Sequence, residues 1–317
     1  MSSLFISGNG FDLAHHIPSK YSDFRNFVIN MFPDALQHRD DLIDPDHIDT
    51  LDQRVLAAEI LLSAMDKAAG KDWSNFEEAL ALVDFNEKFP LLNHKENETD
   101  AEDQQLMTEY LLRTGYMADV FVNCSRLWQE YFQMWIKSIQ GKIEHDAFSP
   151  HESLSQLFAQ EHIRFFTFNY TKTLQKLYGV KQVTHVHNRV GQKLIYGHGL
   201  DSVTYNQFND DFSSGIFFSS SSLDDMVNTF KKDTDRQMKK YEKFFKALDS
   251  SIDKVYSYGF SYGKVDRVYM KAIISKISPE AIWYFTEHEA ESPEILKRKK
   301  IKLRRYGFKG TFDLFQG

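Results

Sequence analysis

Three short apolar segments of this chain each run directly into a small or polar turn. The segments are Leu4–Ser7, Ile163–Phe168 and Lys254–Tyr258. The turns after them contain Gly8, Asn169 and Gly259. Short apolar runs that alternate with helical patterns are typical of a parallel, doubly wound sheet. Ligands of such sheets bind just beyond the carboxyl ends of the strands, so these turns are the candidate site.

The middle of the chain carries a different pattern. From residue 33 to residue 150 there is no convincing strand, and helical spacing runs through Leu51–Met65, Trp73–Val83 and Asp103–Ile139. The next strand-like segment after the first begins only at Ile163. We therefore predict an α/β domain formed by residues 1–32 and 151–317, interrupted by a helical insertion at 33–150.

Further elements are predicted in the last third of the chain. Strands are expected at Val183–Val186, Leu194–Tyr196 and Ala281–Phe285. The sequence from Ser222 to Asp225 is typical of a capping box, which predicts a helix that continues to about Leu248.

Composition narrows the class of protein. The net charge of −7 argues against general nucleic-acid binding. Cys124 is the only cysteine, so neither an intrachain disulfide nor a four-cysteine zinc site can form. The first residues lack the basic flank of a signal peptide, and no apolar run approaches membrane-spanning length. The sequence predicts a cytoplasmic protein with no membrane partner.

The first turn, Gly8-Asn9-Gly10, has the composition of a phosphate-binding loop. Glycines let backbone N–H groups approach a phosphate at a helix N-terminus. A lone Gly-X-Gly is also common in tight turns, and the third glycine of the dinucleotide fingerprint is missing here. Asp12, next after Phe11, is a candidate acceptor for a ribose hydroxyl or a helix cap.

The second and third strands end in an amide and in histidines. Asn169, which follows Thr167-Phe168, is either a turn residue or an amide that holds a ribose hydroxyl or a water. His185 and His187 alternate along a strand, so they share a face. His187 is a candidate general base; together with His198 the pair is also a candidate metal site.

The turn after the last of these strands contains Gly259, Ser261 and Gly263, and Asp266 follows. We interpret it as a loop on the phosphate or adenosine side of a nucleotide, in which Ser261 donates a hydrogen bond. The spacing also fits the Gly-X-Ser-X-Gly turn of a hydrolase nucleophile, which stays open.

Taken together, these segments resemble the AbiH family, named for phage abortive infection. The similar stretches are LFISGNGFDLAHHIPSKYSDF, FFTFNYTKTLQKLYG, HVHN followed by IYGHG, and YSYGFSYGKVD. They cover the length of the chain in a fixed order.

The AbiH pattern is itself similar, remotely, to sirtuin-like NAD-binding domains. Sirtuins have two glycines followed by Ile-Pro, matched here by Gly8, Gly10 and Ile17-Pro18. Their Thr-Gln-Asn-Ile-Asp looks like the segment from Thr167 to Thr171, with Thr171 in place of the aspartate. Their His-Gly looks like His187-Asn188, and their Gly-Thr-Ser or Gly-Tyr-Ser looks like Gly259-Phe260-Ser261.

The resemblance implies a sirtuin-like, Rossmann-type parallel sheet with a large all-helical insertion, and NAD as substrate or ligand. It implies Asn169 and His187 as catalytic residues. The residues it implies for cofactor binding are Gly8, Asn9, Gly10, Phe11, Asp12, Thr167, Gly259, Ser261 and Asp266. Because the four zinc-binding cysteines of sirtuins are absent, NAD hydrolysis is expected rather than protein deacylation.

Two other classes stay open. One is a sensor or interaction module that binds a nucleotide without turnover. The other is a metal-dependent phosphodiesterase or nuclease built from His185, His187, His198 and Asp12. A phage-derived trigger and a homo-oligomer are compatible with each of these functions.

Overall fold

The computed structural model describes residues 2–38, 43, 48, 51–83, 101–159, 162–199 and 228–317, without the side chains of 101–114 and 118. These residues form two compact units. The first contains residues 1–20, 136–195 and 233–317, and the second contains residues 21–135 and 196–232.

The first unit is built on a six-stranded sheet in which every strand pair is parallel. Its strands are β1 (Ser2–Ser7), β2 (Ile163–Thr167), β3 (Val183–His185), β4 (Ile252–Tyr258), β5 (Ile282–Thr286) and β6 (Thr311–Phe315). Their order across the sheet is β3-β2-β1-β4-β5-β6. The prediction of an α/β chain with a parallel sheet is therefore confirmed.

The chain fills the sheet outwards from its centre in two directions. It moves from β1 through β2 to β3 on one side, and then returns to β4 on the other side of β1. This is the order of many doubly wound nucleotide-binding sheets, and the reversal between β1 and β4 is where such sheets bind ligands. Ser7 pairs with both Thr167 and Tyr258, and Thr167 pairs with His185, so the turns after these four strands start at one level.

Side chains along β1 alternate between the two faces of the sheet, and both faces of this central strand are covered by a hydrophobic core. Leu4 and Ile6 pack into one hydrophobic core, whereas Phe5 between them packs into the core on the opposite face of the sheet. All three side chains are fully buried. Burial of a side chain of this size contributes about 1.5–3 kcal/mol, so both faces of β1 hold the sheet between its covering layers.

The helices that accompany the sheet are short. In the first unit they are α1 (Asn9–Ala14), α7 (Glu152–Phe158), α8 (Thr173–Tyr178), α9 (Thr234–Lys240), α10 (Glu242–Lys246), α11 (Arg267–Ile274), α12 (Glu287–Ala290) and α13 (Pro293–Tyr306). In the second unit they are α2 (Tyr21–Met31), α3 (Pro33–Gln37), α4 (Gln53–Ala69) and α5 (Phe76–Ala79). The long helix α6 (Ala101–His145) runs through the boundary between Trp135 and Ile136.

The second unit is held by an aromatic core and a largely buried ion pair. Phe24, Phe76 and Phe132 contact one another at ring-centroid distances of 5.3–6.1 Å. Beside them the Arg25 guanidinium donates two hydrogen bonds of 2.7 Å to the carboxylate of Asp66. Trp73 Nε1 donates to the same carboxylate at 2.8 Å.

The structure corrects two predicted elements and adds several that the sequence did not predict. Leu194–Tyr196 is not a strand; the N–H of Ile195 donates to the carbonyl oxygen of His187, in a turn outside the sheet. The helix predicted to reach Leu248 is divided at Tyr241 into α9 and α10, and α9 begins after Asp233, which accepts from the N–H of Arg236. The predicted capping box at 222–225 lies outside the described residues. Helix α13 and the edge strand β6 were not predicted.

Candidate functional site

The turns after β1 and β4 lie directly against each other. The N–H of Gly8 donates to the carbonyl oxygen of Tyr258, and the N–H of Gly10 donates to that of Gly259, both at 3.0 Å. A Cβ at Gly10 would lie 2.5 Å from the Cα of Gly259, and a Cβ at Gly259 would lie 2.3 Å from the Cα of Gly10. Only glycine permits this approach, which explains why both turns contain it.

This contact changes the role expected for the first turn. A phosphate needs donors that point outward, but the N–H groups of Gly8 and Gly10 already donate to the other turn. The geometry therefore assigns these two N–H groups to the protein itself. Asn9 is exposed, and its side-chain amide donates to the carbonyl oxygen of Ser19 at 2.8 Å. The Phe11 ring is fully buried in the hydrophobic core.

Asp12 is the centre of a buried hydrogen-bond network. Thr171 Oγ1 lies 2.6 Å from its Oδ2, and Thr173 Oγ1 lies 2.7 Å from its Oδ1. These contacts join α1 to the turn after β2, which lies about 160 residues away in sequence.

Two opposing effects act on the Asp12 carboxyl group. Burial disfavours its charged form, while the hydrogen bonds from Thr171 and Thr173 favour it. Burial is the larger effect and raises the pKa of Asp12 to about 6. A carboxyl group with a pKa this close to neutrality, at the end of a sheet, is typical of functional sites.

Asn169 is fixed through its main chain. Its N–H donates to Thr167 Oγ1 at 3.1 Å, and its carbonyl oxygen accepts from His185 Nδ1 at 2.9 Å. Its side-chain oxygen, Oδ1, is buried, and no hydrogen-bond partner for it exists among the residues that the structure describes. Buried polar atoms in proteins are almost always satisfied, so this oxygen is a candidate ligand contact.

His185 is a structural residue. Its Nδ1 donates to the Asn169 carbonyl oxygen, and its Nε2 lies 2.8 Å from Gln175 Nε2, the donor side of that amide. Burial lowers the pKa of His185 to about 4, so the ring is neutral at physiological pH. With both nitrogens occupied, His185 positions Asn169 and is a poor candidate for a base or a metal ligand.

His187 lies two residues beyond β3 and is 2 % exposed. Its Nε2 is 3.1 Å from Oδ1 of Asp266, close enough for an ion pair but without the alignment of a hydrogen bond. The rings of Phe168 and Tyr269 flank it, with centroids 5.5 and 5.9 Å from that of the imidazole. Interactions between charges are stronger in such an apolar surrounding than in water.

The pairing register of β2 and β3 brings the two predicted catalytic residues to equivalent positions. Because Thr167 pairs with His185, Asn169 and His187 both lie two residues past the ends of neighbouring strands. Phe168 stacks on Phe260 at a centroid distance of 3.9 Å, which links this pair of turns to the turn after β4. The predicted site residues thus converge on the carboxyl edge of the sheet in the first unit.

Ser261 does not have the geometry of a hydrolase nucleophile. Such a serine sits on a strained turn between a strand and a helix. Here the positive φ angles belong to Gly259 and Tyr262, and α11 starts only at Arg267. Ser261 is exposed, and its carbonyl oxygen accepts from Lys302 Nζ at 3.0 Å.

A comparison with protein families decides the identity. A family model described as bacteriophage abortive infection AbiH matches residues 4–287. The chain belongs to the AbiH family. Membership assigns it to abortive infection, a form of defence against bacteriophages. Searches of curated proteins and of solved structures gave no match.

Within this AbiH chain, the metal-site alternative finds no support in the part that the structure describes. No group of three or more histidine, cysteine or carboxylate side chains there is arranged to hold a metal ion. His198 belongs to the second unit, whereas His185, His187 and Asp12 belong to the first.

Across the described ranges of the AbiH chain, no helix is both long and apolar enough to span a bilayer.

Sequence reasoning missed three residues of this AbiH site. Thr171 and Thr173 hold Asp12, and Gln175 fixes the tautomer of His185. The available signal was the pair of threonines two residues apart, directly after Asn169-Tyr170. Small hydroxyl side chains at the start of a helix commonly bond to nearby backbone groups, so local patterns favour a cap over a partner on another strand.

Proposed function

We propose that this AbiH chain hydrolyses NAD to nicotinamide and ADP-ribose at the carboxyl edge of its sheet. The observation that carries the proposal is a pair of buried polar atoms, Asn169 Oδ1 and His187 Nε2, at equivalent places beyond adjacent strands. Neither atom has an aligned hydrogen-bond partner among the described residues. Asn169 Oδ1 and the imidazole of His187, beside the carboxylate of Asp266, are the groups that we expect to contact the ligand.

The strand order supports a dinucleotide as that ligand. In doubly wound sheets with this order, dinucleotides bind across the reversal between the central strands. Here the reversal lies between β1 and β4, and Asp12 lies in the helix that follows β1, where Thr171 and Thr173 already donate to its carboxylate. Gly8, Gly10 and Gly259 serve the site by bringing the two turns together.

The reaction needs an oriented water and a base of moderate strength. A water oxygen bonds to C1′ of the nicotinamide ribose while the bond from C1′ to the nicotinamide nitrogen breaks. That nitrogen takes the bonding electron pair and leaves as part of a neutral molecule, so no strong acid is required. The transition state resembles an oxocarbenium ion, as in glycoside hydrolysis.

Asn169 and His187 have complementary roles in this step. Asn169 Oδ1 accepts a hydrogen bond from the water or from a ribose hydroxyl and so fixes the direction of attack. His187 takes the proton that the water releases and passes it to solvent. Asp266, 3.1 Å from the imidazole, stabilises the positive charge that the proton brings. Each of the two catalytic residues contributes about 2–4 kcal/mol, or roughly 10²–10³ in rate.

The test compares NAD turnover by the purified full-length chain and by Asn169→Ala and His187→Ala, measured by chromatography with and without infected-cell extract. Both variants should lose about a hundredfold or more in turnover while they remain folded. Asn26→Ala and His288→Ala are matched controls, because both residues are exposed on the surface of helices. Turnover by the two site variants at the rate of the unmodified chain would refute the proposal.

Calorimetry with NAD and ADP-ribose, together with the turnover assay, distinguishes NAD hydrolysis from the two alternative functions. A chain that binds NAD but releases no nicotinamide under any of these conditions is a sensor or interaction module. Activity that disappears in EDTA and returns with a divalent cation would support the metal-dependent class.

A further inference from the structure

A cleft lies beside the edge strand β3 in the first unit. It is lined by all three residues of β3, by the first three residues of β2 and by residues of α9 and α10. Its volume is about 640 Å³, which is typical of sites for small molecules. Two positions in the sheet separate β3 from β1, so the cleft is distinct from the reversal of strand order between β1 and β4.

Four cationic side chains line this cleft, and none of its described lining residues is acidic. The four are Arg164, Lys181, Arg189 and Lys240. None of them forms an ion pair with a carboxylate among the residues that the structure describes. Because the whole chain has a net charge of −7, the cleft is a local concentration of uncompensated positive charge.

Neutral groups hold two of these cations. The Arg164 guanidinium donates to the carbonyl oxygen of Ala247 at 2.5 Å, and Lys240 Nζ donates to Asn188 Oδ1. Such acceptors orient a cation but do not neutralise its charge, so both side chains keep donors for an anion. Arginine binds two oxygens of one phosphate group at once, and lysine adds a point charge.

Two aromatic side chains, Tyr241 and Phe244, line the same cleft. The Tyr241 hydroxyl donates to the carbonyl oxygen of His185 at 2.6 Å, and the Phe244 ring stacks on Phe166 at a centroid distance of 5.1 Å. These contacts fix both rings. Aromatic rings beside a row of cations are the usual means by which proteins bind a base together with its phosphates.

We propose that the cleft beside β3 binds a small ligand that carries two or more phosphate groups. Each phosphate group is negatively charged and offers several acceptor oxygens, which matches a lining of cationic donors without described carboxylates. The phosphates belong to a nucleotide or to an inorganic polyphosphate, and Tyr241 and Phe244 favour the nucleotide. This binding site is independent of the proposed NAD hydrolysis.

Calorimetric titration of the full-length chain with ADP tests the site. The double variant Lys181→Gln with Arg189→Gln removes two of the four cations, and the affinity for ADP should fall at least about tenfold. Lys271→Gln with Lys276→Gln is the matched control, because it removes the same charge from exposed positions outside the cleft. Its affinity should stay within about twofold of that of the unmodified chain, since salt screens distant surface charges. Circular dichroism checks that both variants are folded.

Three further probes distinguish the class of ligand. Adenosine should bind at least about tenfold more weakly than ADP, because it has no phosphate. Inorganic pyrophosphate should bind more weakly than ADP, because it has no base to stack; equal binding would support the phosphate site and assign it to an inorganic ligand. A peptide of six glutamates that binds more tightly than ADP would overturn the proposal in favour of a protein partner.

ADP is also a part of NAD, so the variant Asn169→Ala separates the cleft from the candidate catalytic site. If ADP affinity falls in Asn169→Ala but not in the cleft variant, ADP binds at the catalytic site and the inference is wrong. The absence of ADP binding to the unmodified chain at millimolar concentration would also overturn it. A chain that binds ADP in the cleft but cleaves no NAD refutes only the proposed function.

Discussion

The contact between the turns after β1 and β4 makes Gly259→Ala the most informative stability variant. Gly259 has φ +62°, and the Cβ of an alanine there would lie 2.3 Å from the Cα of Gly10 and 2.5 Å from the nitrogen of Phe11. Carbon atoms in contact are normally about 3.5–4.0 Å apart, so one of the turns has to move by more than 1 Å. The structure therefore predicts two separate costs, one conformational and one steric.

The magnitudes of the two costs follow from general values. An alanine held in the left-handed region costs about 1–2 kcal/mol relative to glycine. Overpacking of a close contact costs about 1–3 kcal/mol more. We expect Gly259→Ala to lower the free energy of unfolding by about 2–5 kcal/mol in total.

Gly179→Ala is the matched control for the conformational part. Gly179 has nearly the same φ, +67°, at the end of α8, but a Cβ there would meet no atom within 4 Å. Its cost should be limited to about 1–2 kcal/mol. The difference between the two variants, about 1–3 kcal/mol, measures the contact between the turns alone.

Urea unfolding of both variants, followed by tryptophan fluorescence and by circular dichroism, gives the two free energies. Coincident transitions by the two probes are required, because a chain with two compact units need not unfold in one step. If Gly259→Ala costs no more than Gly179→Ala, the two turns do not lie against each other. The inferred convergence of the site would then lose its geometric basis.

Two further predictions concern charged groups. Because burial raises the pKa of Asp12 to about 6 from an ordinary value near 4, the folded state binds this proton more tightly than the unfolded state. The stability contributed by Asp12 is complete below about pH 4 and is lost as the pH rises through 6, a decrease of roughly 3 kcal/mol relative to Asp12→Asn. Equal pH dependence of urea unfolding in both proteins would contradict this. In the second unit, Asp66→Ala leaves Arg25 and Trp73 without their largely buried acceptor and should cost about 2–4 kcal/mol, measured by the same method. Glu130→Ala, which removes the exposed ion pair with Arg54, should cost at most about 1 kcal/mol. If the two variants lose similar amounts of unfolding free energy, the lower exposure of the Arg25–Asp66 pair does not strengthen it.

The sequence predicted the local elements that depend on short-range patterns. Helix α2 begins and ends where its apolar spacing indicates, at Tyr21 and Met31, and the central strands follow their apolar runs within one or two residues. The elements that the sequence predicted wrongly or missed have a common cause. Leu194–Tyr196 has the composition of a strand but pairs with no strand in the part of the chain that the structure describes, whereas β6 pairs with β5. Pairing of strands depends on residues that are distant in the chain, and the local propensity of a segment contains no information about them.

The candidate site shows the same division. The positions of Gly8, Asn169, His187 and Gly259 at the ends of strands were predictable, because parallel strands all place their carboxyl ends at one edge. The hydrogen-bond partners within the site were not predictable from the sequence. The hydroxyl groups that hold Asp12 and the carbonyl oxygens that occupy the two glycine N–H groups come from segments about 160 and 250 residues away in the chain.

The amino-acid sequence by itself determined the parallel α/β class, the family and the short segments that carry polar groups to the edge of the sheet. Apolar periodicity and turn composition are properties of neighbouring residues and act before any long-range contact exists. Only the tertiary structure decided the strand order, the mutual contact of the glycine turns and the hydrogen bonds that hold the main chain of Asn169. These features depend on hydrogen bonds and close packing between distant parts of the chain, whose geometry is defined once the fold is complete.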